Sequence, residues 1–196
     1  LPEFGRSVLE VLRQPLEEKR VVVSRAKYSV EYPANFTLVA AMNPCPCGYY
    51  NHPTRECTCS PGSVHRYMGR ISGPLMDRID LHVEVTPVTP QELSAAAPGE
   101  ASAAVRERVV RARAVQEARF GGVEGVHTNS MMNSAMLREY CRLDAASAAL
   151  LERAMERLSL SARAYDRILK AARTIADLAG RADIVQADIA EAVSYT

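Results

Sequence analysis

The sequence lacks any apolar run near the roughly 20 residues that a membrane-spanning helix needs, so no span and no membrane partner are expected. It lacks a secretory leader too: Leu1-Pro2-Glu3-Phe4-Gly5 has neither a basic start nor an apolar stretch. An initiator methionine is missing, so the chain reads as a segment cut from a longer one. Neither sign of charge is in excess, with 24 Lys+Arg against 23 Asp+Glu. Net charge therefore predicts no nucleic-acid partner, and any DNA contact must come from a local patch. Internal repeats are absent. Cysteine is sparse and uneven: of five, four fall between Cys45 and Cys59, and the other is Cys141. Without a secretory signal, so tight a cluster favours metal over disulfides, and a cytoplasmic location is expected.

What is present is core-forming material. The chain is 47% hydrophobic and 24% charged over 196 residues, enough for one ordinary domain or two small ones. Ser7-Val8-Leu9-Glu10 has the spacing of a capping box, and Val8, Leu12 and Leu16 follow at helical intervals. Val21–Ser24 and Tyr28–Tyr32 flank a turn and predict a hairpin. Phe36–Met42 is continuously apolar, as a strand buried on both faces is, and ends at Asn43-Pro44. Leu81–Val85 alternates like another strand. Two strands and a hairpin cannot make a covered sheet, so parallel neighbours and helices are expected from outside this chain.

Beyond the Pro- and Ala-rich stretch Pro87–Gly99, the pattern is helical: Ala101–Phe120, Asn133–Tyr140, Asp144–Leu158, Ser161–Ala179 with Gly180 as its left-handed cap, and Gln186–Val193. The fold class read from this is α/β followed by all-α. Residues 1–88 form a strand-containing part, 89–99 a linker and 100–196 a helical part.

Four places carry candidate chemistry. Asn43 follows the apolar run directly, where an amide can orient water or phosphate beyond a strand end; a turn-forming Asn before Pro is the plainer reading. Cys45-Pro46-Cys47 and Cys57-Thr58-Cys59 give C-x-C, nine residues, C-x-C. Four thiolates so close can close a tetrahedral, structural zinc site with no open position, and His52 could replace one ligand. Reduced or disulfide-bonded loop thiols are the alternative. Arg66, Arg70 and Arg78 surround Ile71–Asp80, and arginine's rigid fork suits phosphate; an ion pair of Arg78 with Asp77 or Asp80 competes with that. Arg163 opens the Ser161–Ala179 helix, where it either meets an anion or is simply solvated.

Taken in order, these pieces resemble one family. Leu1-Pro2-Glu3-Phe4, Arg13-Gln14-Pro15-Leu16-Glu17, Met42-Asn43-Pro44-Cys45-Pro46-Cys47-Gly48, Ile71-Ser72-Gly73-Pro74-Leu75-Met76-Asp77-Arg78-Ile79-Asp80-Leu81 and Leu160-Ser161-Ala162-Arg163-Ala164-Tyr165-Asp166-Arg167-Ile168 look like the magnesium-chelatase-like AAA+ ATPases, and within them the competence-associated branch-migration helicases. The resemblance covers essentially the whole chain. It implies an incomplete P-loop core, with a hairpin and two core strands, followed by a helical lid. It further implies that Asn43 is sensor 1, Arg78 an arginine finger offered to a neighbouring subunit and Arg163 sensor 2, and that the Val21–Tyr32 hairpin faces a ring's pore. ATP and magnesium are the implied cofactors, a hexameric ring of like subunits and DNA the implied partners.

The family's G-x-x-x-x-G-K-[ST] loop is absent from this sequence. The Asp-Glu of the metal-binding strand would end just before Leu1, so Glu3 is not that carboxylate. Two other functions compete with the helicase: a chelatase motor subunit acting on a protein partner, and a zinc-stabilised module that binds DNA without catalysis. The four-cysteine loop is not part of the chelatase motor pattern and favours the helicase branch.

Overall fold

The computed structural model describes residues 1–95 and 99–196, and divides them into two compact units, Leu1–Ile79 and Asp80–Thr196. The 89–99 stretch includes a short helix, Pro90–Ala95, while residues 96–98 lie outside the described residues.

In the first unit, α1 (Arg6–Val11) and α2 (Arg13–Glu18) pack Leu9, with Leu12 and Leu16 beside it, onto Ile71 and Leu75. Leu9 carries the contact and Val8 is exposed, one residue off the expected register. The Ser7–Glu10 capping box does not form. The helix starts two residues earlier with Gly5 at its N-cap, and Glu10 is taken by Arg13 at 2.9 Å. Lys19, at φ +56°, turns the chain out of α2 and into the hairpin.

That hairpin is β1 (Arg20–Arg25) against β2 (Tyr28–Pro33), antiparallel, with Val23 opposite Val30 and Ser24 opposite Ser29. An Arg20–Glu31 pair at 2.8 Å and a Ser24–Ser29 hydroxyl contact at 3.0 Å link the strands. The hairpin is largely exposed, and Tyr28 keeps 75% of its surface.

The two core strands expected from Phe36–Met42 and Leu81–Val85 do not form. The hairpin is the one sheet among the described residues. Both segments run without a ladder partner, and Val39 is 90% exposed. An apolar run specifies burial, but a strand exists only when a second backbone supplies its hydrogen bonds. Two isolated bonds reach these segments: the Leu1 amino group donates to the Ala41 carbonyl at 2.6 Å, and the His82 N–H to Tyr195 at 2.8 Å.

Two helices follow the cysteine loop. Ser60 caps α3 (Pro61–Met68), with Pro61 in the first turn, and Ser72 caps α4 (Gly73–Met76) in the same way. Val64 and Tyr67 are the residues α3 buries.

The second unit is helical: α5 (Pro90–Ala95), α6 (Ser102–Phe120), α7 (Ser134–Tyr140), α8 (Ala145–Arg157), α9 (Ala162–Leu178) and α10 (Gln186–Ser194). Caps define their starts. Asn133 accepts from the N–H groups of Ala135 and Met136, Asp144 from Ser147 and Ser161 from Ala164. Gly180, at φ +70°, ends α9, and the Arg181 N–H returns to the Ala176 carbonyl at 2.9 Å, the paired bonding of a Schellman cap. α9 is the central element, burying Ile168, Leu169, Ala172 and Ala176 against Leu137, Leu151 and Ile189. No helix among the described residues is long and apolar enough to cross a membrane.

Candidate functional site

The cysteine loop is the most compact cluster of reactive groups in the first unit. The Cys45, Cys47, Cys57 and Cys59 sulfurs all lie within 4.8 Å of one another. Cys45–Cys47 is 3.3 Å, Cys45–Cys57 3.7 Å and Cys47–Cys57 3.6 Å, and all four are free thiols. A tetrahedral zinc with bonds of about 2.3 Å needs sulfurs about 3.8 Å apart, close to this spacing. A disulfide needs about 2 Å. The tight C-x-C pairs therefore converge as the sequence anticipated.

Backbone N–H groups face these sulfurs and set their acidity. The Tyr49 N–H, helped by Cys45 and Thr58, draws Cys47 down to about 5 against the cost of burial. Burial opposes ionisation of Cys45 too, but the N–H groups of Tyr50 and Tyr49 hold it below the ordinary thiol value. The Cys59 N–H favours the Cys57 thiolate, yet burial and the Cys47 and Cys45 sulfurs push it up to about 12. Cys59 is likewise raised: the Cys47 N–H favours its thiolate, and burial and the neighbouring sulfurs prevail. Mutual repulsion of thiolates is what a divalent cation at the centre would relieve.

His52 is not part of this cluster. Its Nδ1 accepts from the Thr54 and Arg55 N–H groups at 3.2 and 3.1 Å, and its ring stands edge-on to Tyr49. The turn uses the Nδ1 nitrogen, and the ring stays outside the sulfur cluster.

Asn43 lies two residues before Cys45 and is exposed. Its backbone is hydrogen-bonded to the hydroxyl of Tyr67, a buried residue of α3, which burial pushes above the ordinary tyrosine value. The loop therefore holds the Asn43 main chain and leaves its amide free to solvent. Arg78 follows α4. It donates to the Glu17 carboxylate of α2 and, at 2.6 Å, to the Pro74 carbonyl. The carboxylate it meets there, Glu17, lies far from it in sequence. Asn43, the cysteines and Arg78 all belong to the first unit; Arg163 belongs to the second, exposed in the first turn of α9.

Sequence reading missed a buried ionic network in the second unit. Asp177 accepts two bonds from Arg119, at 2.6 and 2.7 Å, one from Asn129 at 2.8 Å and one from Arg173 at 3.1 Å. Arg173 also donates to the carbonyls of Arg181 and Ala182, both at 2.6 Å. Burial opposes the Asp177 charge, but Arg119, Asn129 and Arg173 outweigh it and hold the carboxyl below its ordinary range. The available signal was Arg173 and Asp177, four apart on the face of α9 that should have been apolar.

Comparison with known proteins agrees with this order of parts. The family model described as magnesium chelatase, subunit ChlI, matches residues 1–93, and the model for the C-terminal part of that subunit matches residues 99–196. The chain belongs to the magnesium-chelatase-like AAA+ family. It is 47% identical over 197 residues to the competence protein ComM of Haemophilus influenzae, covering 100% of this chain and 37% of that protein. The uncharacterized proteins YifB of Escherichia coli and Salmonella typhimurium are 42% and 41% identical over 196 residues, again across 100% of this chain and 37% of theirs. The chain thus spans little more than a third of the length of these curated relatives.

Proposed function

We propose that this chain is part of an ATPase whose subunits form a hexameric ring and couple ATP hydrolysis to movement along DNA, branch migration included. The carrying observation is the exposed Asn43 amide, presented just after an extended apolar segment by a loop whose backbone is tied to Tyr67. Asn43 acts as sensor 1, its amide orienting the water that attacks the terminal phosphate. Arg78 acts as the finger for a neighbouring subunit, and Arg163 as sensor 2 at the start of α9. The β1–β2 hairpin, exposed and tipped by Arg25 and Lys27, faces the pore. The family and the name of the ComM relative support a DNA partner.

The residues present suit the terminal-phosphate side of a nucleotide and not its grip. The lysine and magnesium-binding hydroxyl of a P-loop are absent from the sequence. Magnesium and ATP supply the phosphoryl chemistry in the full-length protein, and this chain alone is expected neither to hold ATP tightly nor to hydrolyse it. Cys45, Cys47, Cys57 and Cys59 hold a structural zinc, for which their sulfur spacing is the support. Asn43→Ala in the full-length protein tests the assignment: ATP turnover should fall at least tenfold with ring assembly intact, and unchanged turnover would remove Asn43 from the machinery.

A further inference from the structure

Three guanidiniums that the ATPase assignments leave unused share one cavity. Arg6, Arg66 and Arg70 line a space of about 420 Å³ in the first unit, together with Ser63, Tyr67 and Pro46. Helical phase explains the arrangement. Ser63 and Arg66 are three apart on α3, Arg70 follows four later in the turn after it, and Arg6 is the first residue of α1. Pro46, between two of the cysteines, makes the cysteine loop one wall.

The charge of this cavity is one-sided, and no carboxylate lines it. Glu3 is turned to the Tyr67 hydroxyl, and Glu10, which feels the charge of Arg6, accepts from Arg13 at 2.9 Å. Arg70 donates once to the Pro2 carbonyl, at 2.8 Å, and keeps further donors. Arg66 is exposed, and no ion pair holds it among the described residues. Cations gathered without a counter-charge repel one another, and an anion between them removes the penalty. Guanidinium forks match phosphate oxygens in pairs.

The lining also decides which phosphate fits. A nucleotide triphosphate arrives with magnesium, which takes carboxylate oxygens in its coordination shell, and this cavity has none to give. A phosphodiester brings one negative charge per phosphate and no obligatory metal. We infer that Arg6, Arg66 and Arg70 hold a backbone phosphate of a nucleic-acid strand. The inference rests on the DNA partner proposed above and adds where a local basic patch lies in a chain of nearly balanced charge.

The test is binding of the full-length protein to a labelled single-stranded oligonucleotide across a series of salt concentrations, with ATP turnover measured without DNA in parallel. Arg66→Ala should weaken binding to all sequences alike and flatten the log-affinity against log-salt line by about 0.7 to 1 for the lost contact. Arg66→Glu should flatten it further, and Arg66→Lys, which keeps the charge but loses the fork, should keep the slope with weaker binding. DNA-free turnover and melting temperature should not change, since Arg66 is exposed and makes no ion pair or hydrogen bond among the described residues. If the protein binds DNA but Arg66→Glu leaves affinity and slope unaltered, the cavity is no phosphate site, and the DNA reading survives. If DNA-free turnover falls in Arg66→Ala and is restored in Arg66→Lys, the cavity serves nucleotide and the inference is overturned. A wild-type protein that binds no DNA removes the DNA reading, and the inference goes with it.

Discussion

Arg78 reaches back 61 positions to form an ion pair with Glu17, and its other terminal nitrogen is held by the Pro74 carbonyl. The pair joins α2 to the turn after α4, and with the Pro74 carbonyl it holds both terminal nitrogens of a side chain that is 14% accessible. The finger proposed for Arg78 must exchange at least one of these bonds for a phosphate oxygen before it can act.

Arg78→Ala should therefore lower ATP turnover of the assembled full-length protein by about 10³-fold or more, the usual worth of a finger. Activity should return in part when Arg78→Ala subunits are mixed with subunits lacking only the P-loop lysine, because one complete site can then form across an interface. Steady-state turnover across a mixing series reads this out. A strictly proportional loss at every ratio would argue for a role within the subunit's own site.

Purified protein should carry about one zinc per chain, since four sulfurs close a tetrahedron. Elemental analysis measuring less than about half an equivalent would exclude the site. Cys47→Ser should abolish retention, and a chelator should lower the melting temperature of the first unit without moving that of the second.

Thiol labelling makes a separate prediction. Cys141 is buried, its thiol is 3.7 Å from the Leu169 carbonyl, and burial pushes it up to about 11. At pH 8 it should resist alkylation in the folded protein and react only on unfolding, whereas the loop cysteines should react once metal is chelated. Mass spectrometry of the alkylated peptides distinguishes the two. Fast labelling of Cys141 in native protein would contradict its placement in the core.

Asp177→Asn should destabilise the helical unit by about 3 kcal/mol or more, because it leaves Arg119 and Arg173 buried without their shared counter-charge. Acid should act through the same group. Its folded-state value is depressed, so its contribution is full above the ordinary aspartate value of about 3.9. It is then lost as pH falls through the lower, folded value. The variant's stability deficit, measured by chemical denaturation, should shrink towards zero at the acid end of that range. A deficit that stays constant down to pH 2 would contradict the linkage.

The sequence was most informative where structure is local. Ser161, Asp144 and Asn133 announce helix starts by chemistry within three residues, and Gly180 announces a stop; all four do so in the fold. The cysteine cluster was legible for a similar reason, since its four thiols lie close in sequence and one loop brings them together. α3 was passed over because His65 and Arg66 lie on its exposed side, although Ser60-Pro61 was a usable start signal. Phe36–Met42 was misjudged because apolar character records what a segment would bury, and pairing depends on a partner elsewhere. Arg78 with Glu17, and Arg119 with Asp177, join positions about sixty apart, for which a single sequence carries no signal.

The most direct measurement is ATP turnover by the full-length protein with no DNA, with single-stranded DNA and with a branched duplex. Stimulation by at least one DNA form, lost together with basal turnover in Asn43→Ala, is the predicted result. Turnover that no form of DNA alters would contradict the account of a motor that moves on DNA.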